Sequence, residues 1–255
     1  IHLEGPFLNA KRKGAFREEE LRHPTRRELE RYLDAAGGHL RAVTLAPELP
    51  GGYEAVSLLA GRGVTVSIGH SDATYEVAAK AARLGASQTT HHFNGMSPLH
   101  HREPGVAGAG LALASLTLEF IPDGIHLHPE IVKLLYDVKG ALNVCAITDA
   151  VYCAGLPDGE YDGRTVKDGK VYLLGTDTLA GSTLTAIQGL RNVLRFTGYP
   201  LERVLPAFTV VPARQIGLGH RKGAIAPGMD ADFLIVSDDL SIESVYVRGR
   251  EAYRK

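Results

Sequence analysis

The sequence predicts an α/β fold in which short buried strands alternate with helices around a parallel sheet. Three observations predict it. Apolar or β-branched runs of strand length recur at 1–3, 42–46, 64–68, 88–92, 116–121 and 143–148. Helix-like stretches with recognisable ends lie between them. Polar side chains of the kind that perform chemistry follow several of the runs directly. Strand, loop and helix in alternation make βα units, and hence a parallel sheet buried on both faces.

Taken in order, the first run ends at Glu4. Thr25 and Glu28 form a capping box, and Gly37 closes the helix they start. Ser71 or Asp72 caps a helix ending near Gly85. Pro129 sits in a first helical turn, where its missing N–H is tolerated, and Gly140 lies past that helix's end. After Asp149 the character changes. Residues 155–182 are rich in Gly and Asp with short alternating runs such as 170–174, which predicts a hairpin insertion. Two helices follow, one from Ser182 or Thr183 to Gly198 and one from Pro200 toward Gln215 that Pro212 interrupts. From Gly223 onward, short strands with turns at Pro227-Gly228 and Asp238-Asp239 predict a small β domain. No internal repeat or low-complexity segment is present.

Six strands are two short of a closed (β/α) barrel, which takes eight. The sheet is therefore either an open doubly wound one or a barrel whose first two strands lie in a missing N-terminal segment. The start at Ile1, already inside an apolar run, suggests such a missing segment.

With 255 residues, 44% hydrophobic and 22% charged, the chain buries one large core or a core plus a small satellite. A formal charge of -1 and a pI near 6.9 offer no single-signed field for nucleic acid or an anionic membrane surface. No apolar run is long enough to span a bilayer. A small-molecule partner is what remains. Cys145 and Cys153 are too few and too close for a secreted disulfide framework, and they read as inert thiols of a reducing compartment.

In a barrel, catalytic groups stand at the C-terminal ends of the strands. Glu4 follows the first run, His70 the third, His91-His92-Phe93-Asn94 the fourth and Asp149-Ala150 the sixth. A lone histidine after a strand is more often a hydrogen-bonded structural residue. A carboxylate and two imidazoles from separate strands at one mouth are what a divalent cation such as zinc needs for an open catalytic site. Glu48 reads as a supporting or capping residue, and His100 and His101 as a solvated surface pair. An open-sheet nucleotide-binding protein is disfavoured, since no Gly-x-Gly-x-x-Gly turn follows an early strand.

Several blocks resemble one family. His2-Leu3-Glu4-Gly5-Pro6-Phe7-Leu8-Asn9 with Lys11-Arg12-Lys13-Gly14-Ala15 looks like the glutamate-bearing signature of the N-acetylglucosamine-6-phosphate deacetylases. Further blocks follow in that family's order. They are Ile68-Gly69-His70-Ser71-Asp72-Ala73-Thr74, Thr90-His91-His92-Phe93-Asn94-Gly95-Met96, Arg102-Glu103-Pro104-Gly105 and Pro122-Asp123-Gly124-Ile125-His126. Ile147-Thr148-Asp149-Ala150, Leu179-Ala180-Gly181-Ser182 and the closing Gly223 to Asp232 block complete the set. The last is shared by many amidohydrolases, whereas the first is far more specific.

The resemblance implies a (β/α)8 TIM-like barrel whose first two strands are missing from this chain, with a small β-sandwich domain. Residues 1–218 would hold barrel strands three to eight and the insertion, and 219–255 the C-terminal part of the sandwich. A glutamate on the third strand, in place of a bridging lysine on the fourth, separates this family from dihydroorotase-like relatives. The implied activity is hydrolysis of the N-acetyl group of N-acetylglucosamine 6-phosphate in amino-sugar catabolism, in the cytoplasm. Glu4, His70 and His91 would hold the divalent metal, Zn2+ by default with Fe2+ or Co2+ able to use the same ligands, and Asp149 would be the base and then the acid.

Ala15, Asn94, Gly95, Arg102, Asp123, His126, Leu179, Ala180 and Gly181 would bind the phosphorylated amino sugar, with Arg102 reaching a neighbouring subunit's site in a homodimer. One departure stands out: Phe16 occupies a position where many members carry a histidine that contacts the acetamide. It keeps open an amidohydrolase acting on another N-acyl or cyclic amide. A non-catalytic assembly module is disfavoured because the four metal-site residues are all retained.

Overall fold

The structure, a computed structural model, describes residues 1–255. All six runs form strands: β1 (His2–Glu4), β2 (Ala42–Leu45), β3 (Thr65–Ile68), β4 (Ala86–Thr89), β5 (Thr117–Phe120) and β6 (Val144–Ala146). They lie side by side in chain order, and every neighbouring pair is parallel. A doubly wound sheet reverses its order at a switch point. An unreversed order keeps every crossover on one side, as a barrel requires. The chain therefore carries six consecutive strands of a (β/α) barrel. The fourth strand ends at Thr89, earlier than 88–92 suggests, so His91 and His92 lie in the loop beyond it.

The connecting helices are α1 (Arg26–Ala35), α2 (Gly52–Gly61), α3 (Tyr75–Arg83), α4 (Gly105–Ala112) and α5 (Pro129–Lys139). Thr25 caps α1, its hydroxyl accepting the Glu28 N–H at 3.2 Å. The Glu28 carboxylate accepts instead from the Tyr32 hydroxyl at 2.8 Å, so only half of the capping box forms. Thr74, not Ser71 or Asp72, caps α3, because those two residues are bonded to Glu48. As expected, α5 starts on Pro129 and stops at Gly140, whose φ is 73°.

Neither α2 nor α4 is signalled by the sequence. The α4 segment GVAGAGLA is apolar all round and carries three glycines, so it has neither an amphipathic stripe nor helix propensity. Its glycines serve close approach: a Cβ on Gly110 would lie 2.3 Å from Cε1 of the fully buried His92. Lys139 of α5 satisfies the end of α4 by donating to the Gly110 and Leu113 carbonyls at 2.8 and 2.6 Å.

Two apolar clusters lie between sheet and helices. One gathers Phe7, Val43, Leu45, Val56, Val66 and Ile68, and the other Leu118, Phe120, Leu135, Tyr136, Val144 and Val193. Polar pairs tie neighbouring strands together as well. Thr90 meets Thr44 and Ser67 hydroxyl to hydroxyl at 2.7 and 2.6 Å, and Gln88 donates to Glu119 at 2.6 Å.

The insertion is larger than a hairpin. It is a four-stranded antiparallel sheet of β7 (Gly159–Tyr161), β8 (Arg164–Lys167), β9 (Lys170–Leu173) and β10 (Leu179–Ser182). Its last strand returns to the barrel mouth, where the Ser182 N–H donates to the Asp149 carbonyl at 2.8 Å. Next, α6 (Ala186–Thr197) begins behind the cap Thr185, slightly later than Ser182 or Thr183 suggests, and ends at Gly198.

The predicted helix over 200–215 is two helices, α7 (Leu201–Val204) and α8 (Val210–Gln215), joined by a 3-10 turn. The break falls at Thr209 (φ -130°, ψ -84°), and Pro212 sits in the first turn of α8, where no intrahelical N–H is missed. The closing β domain is one antiparallel sheet of β11 (Phe233–Val236), β12 (Ile242–Val247) and β13 (Arg250–Arg254), with the Asp238-Asp239 turn between the first two. No helix is long and apolar enough to cross a membrane.

Candidate active site

Glu4 ends β1, while His70 and His91 stand just beyond β3 and β4. His70, His91, Phe93 and Asp149 all adopt left-handed backbone, with φ of 47°, 29°, 78° and 50°. Each such residue costs about 1–3 kcal/mol and persists only where its surroundings impose it. These four, of the eight left-handed non-glycine residues in the chain, stand at one end of the sheet.

Glu4 Oε1 lies 3.1 Å from Nε2 of both His70 and His91, and the two Nε2 atoms are themselves 3.1 Å apart. The opposite ring nitrogens donate to backbone: His70 Nδ1 to the Arg12 carbonyl at 2.6 Å, His91 Nδ1 to the Asn94 carbonyl at 3.1 Å. Those bonds assign the proton to Nδ1 and turn both Nε2 lone pairs toward the carboxylate. Two lone pairs and an anion converging on one point demand positive charge there. A divalent cation fits this donor set, and all the ligand atoms lie within 4.8 Å of one another.

Ionisation states agree. Burial works to raise the Glu4 pKa, but hydrogen bonds from the two imidazoles hold it far below the usual carboxylate range. Burial works to lower His91, yet the Glu4 hydrogen bond and charge push it up to about 8. Without a cation, a proton on His91 supplies the positive charge.

Glu48, in the loop between β2 and α2, organises this corner. Its carboxylate accepts from Asn9 Nδ2 at 2.9 Å, Ser71 Oγ at 2.7 Å and the Asp72 N–H at 2.7 Å. Asp72 in turn accepts from Arg12 Nε at 2.8 Å, and the Arg12 carbonyl holds His70. Glu48 thus fixes His70 through both flanking loops. Glu48→Ala is expected to weaken divalent-cation affinity about 10- to 100-fold, as loss of groups behind a ligand does. Competition titration against a chelating dye checks this, and unchanged affinity in a folded variant would refute it.

A cavity of about 250 Å³ opens over these residues. Ala15, Asn94, Gly95, His126, Leu179, Ala180 and Gly181 line it, together with Glu4, His70, His91 and Asp149. Phe16 is also in the wall, edge-on to His70 with ring centroids 5.2 Å apart. Gly14 and Gly95 give the His70 ring room, since a Cβ at either would approach it to 3.2 or 3.0 Å. Burial in this cavity raises the Asp149 pKa, with the Glu4 charge adding to the effect and His91 opposing it. A larger groove of about 850 Å³, between α1 and α2, brings no comparable ligand set together.

Two predicted substrate residues lie outside the wall. Asp123 accepts from the Ile125 and His126 N–H groups, each at 2.8 Å, and from His126 Nδ1 at 2.6 Å, so it aims His126 Nε2 rather than facing the cavity itself. Arg102 is exposed and donates to its neighbour His101 at 2.8 Å. Arg164 of β8 does line the cavity, and the sequence offers no motif that would single it out.

The sequence matches the amidohydrolase family over residues 1–252. It is 40% identical over 256 residues to the N-acetylglucosamine-6-phosphate deacetylase of Bacillus subtilis, covering 99% of this chain and 65% of that one. It is 35% identical to the N-acetylgalactosamine-6-phosphate deacetylase of Escherichia coli O157:H7, over 98% of this chain and 67% of the relative. The fold superposes with a TM-score of 0.94, at 37% identity, on a mutant N-acetyl-D-glucosamine-6-phosphate deacetylase of Mycobacterium smegmatis in complex with N-acetyl-D-glucosamine-6-phosphate, covering 98% of this chain and 68% of that one. The chain thus spans about 65% of the length of the Bacillus subtilis relative and of that of Lysinibacillus sphaericus.

Proposed function

This chain belongs to the amidohydrolase family, and from that premise we propose that it removes the acetyl group of N-acetylglucosamine 6-phosphate, giving glucosamine 6-phosphate and acetate. The observation that carries the reading is the convergence of Glu4, His70, His91 and Asp149 on one cavity, each from a different strand end. The relatives named above supply the substrate class.

Glu4, His70 and His91 would hold a divalent cation, Zn2+ by default and Fe2+ or Co2+ as substitutes, which when bound would lower the pKa of a water and polarise the acetamide carbonyl. Asp149 takes the proton of the attacking water and returns it to the glucosamine nitrogen as the C–N bond breaks. His126, its Nδ1 held by Asp123, presents Nε2 to the sugar. Asn94 and the Gly95 backbone bind beside it, and Arg102 reaches the cavity of a neighbouring subunit in a homodimer. The setting is cytoplasmic amino-sugar catabolism. A second reading, the galactosamine epimer as substrate, is favoured by the Escherichia coli relative.

The test is acetate release by the complete protein from the two 6-phosphorylated epimers, with and without chelator. Chelator-sensitive release, faster on the gluco epimer, is expected. Faster release from the galacto epimer would move the assignment to the second reading. Metal-loaded protein without activity on either would sink both.

A further inference from the structure

Phe16 sets an apolar ring against one of the three groups of the cation site. It meets His70 at 85°, with ring centroids 5.2 Å apart, and lines the same cavity as Glu4, His91 and Asp149. Lys13 holds its backbone from both sides. The Phe16 N–H donates to the Lys13 carbonyl at 3.1 Å, and Lys13 Nζ donates to the Phe16 carbonyl at 3.2 Å. An imidazole at this position would offer a hydrogen bond to a bound amide. A phenyl ring offers none, so the part of a substrate that rests on it is apolar.

The ring extends into a longer apolar stretch. Ala15, Val151 and Ala180 also line the cavity, and they pack together against the core of the insertion sheet. This stretch of wall is tight, since a Cβ on Gly181 would come within 2.4 Å of Val151 Cγ1. Walls packed so closely admit an extra methylene only at a cost.

Amide hydrolysis fixes which part of a substrate lies here. The acyl carbon carries an oxygen, a nitrogen and an alkyl group. The oxygen belongs beside the positive charge that Glu4, His70 and His91 demand, and the nitrogen within reach of the Asp149 carboxyl. The alkyl group needs neither, and the apolar side chain against these groups is Phe16.

We propose that Phe16 closes the acyl end of the cavity and sets the length of the acyl group removed, admitting acetyl and excluding longer N-acyl chains. This specificity rests on the deacetylase reading above. The experiment is steady-state formation of glucosamine 6-phosphate by the metal-loaded complete protein from its N-acetyl, N-propanoyl and N-butanoyl derivatives, for wild type, Phe16→Leu and Phe16→Ala.

Wild type is expected to favour acetyl over propanoyl about 10- to 200-fold in kcat/KM, the discrimination that one methylene gives in an apolar pocket. In Phe16→Ala that preference should fall at least about tenfold. Its kcat/KM for the butanoyl sugar should rise above the wild-type value, a gain that damage to the fold cannot give. Phe16→Leu should lie between the two. Wild type that hydrolyses all three sugars alike, or variants that keep the wild-type acetyl preference whatever their overall activity, overturns the inference and leaves the deacetylase reading intact. Wild type inactive on all three removes that reading and the inference with it.

Discussion

Asp149→Asn is expected to lower kcat about 1,000- to 10,000-fold while leaving bound metal unchanged. General acid–base groups contribute about 100- to 10,000-fold each, and Asp149 is assigned both proton transfers, so its loss belongs at the upper end. The asparagine is nearly isosteric and keeps the left-handed turn, a conformation that Asn tolerates. The mutually close ligand atoms belong to Glu4, His70 and His91, so the cation site survives the change.

The same residue sets a pH dependence with a definite sign. Only the ionised carboxylate accepts a proton, and burial raises its pKa. The acid limb of kcat/KM in the wild type should therefore report this carboxylate, activity falling as pH drops through its pKa. That limb should be absent from the residual activity of Asp149→Asn. A variant retaining more than about a tenth of wild-type kcat would show that another group moves the protons.

Much of this site is legible in the sequence, for a physical reason. Chemistry at strand ends sits next to the strongest local signal a chain carries, a short buried run. Glu4, His70, His91 and Asp149 all inherit that marker. Residues that act across the fold carry no such signal. Arg164 reaches the cavity only because an antiparallel insertion folds back to the barrel mouth, and the turn signals of 155–182 announce strands without saying where they dock. Asp123 shares a motif with His126, yet it accepts from that ring and does not line the cavity. Helix α4 is hidden for the opposite reason: its faces are all apolar or glycine, so no periodicity marks it, and its packing against His92 exists only in three dimensions.

Glu4→Gln is expected to weaken divalent-cation affinity by at least about 100-fold, more than Glu48→Ala, because a ligand itself is lost rather than the groups behind it. It should also remove the pH dependence of the metal-free protein. In that form His91 is raised to about 8 by Glu4, and Glu4 is held low by the two histidines. A histidine with a raised folded pKa stabilises the protein fully below its unfolded value, and the contribution is lost as pH rises through about 8. A depressed carboxylate contributes above its unfolded value and loses that contribution only as pH falls through its low folded value.

The Glu4–His91 contribution to the stability of chelated wild-type protein, read as its difference from chelated Glu4→Gln, should accordingly be fully present below about pH 6.5 and be lost as pH rises through about 8. The metal-loaded protein should behave in the opposite sense over that range. A cation and the His91 proton compete for the same Nε2 lone pair, so apparent affinity should fall about tenfold for each pH unit below about 8. Denaturation midpoints and metal titrations across that range check both slopes. Parallel slopes in the two forms, or an unaltered one in chelated Glu4→Gln, would mean that the Glu4–His91 pair does not hold the charge of this site.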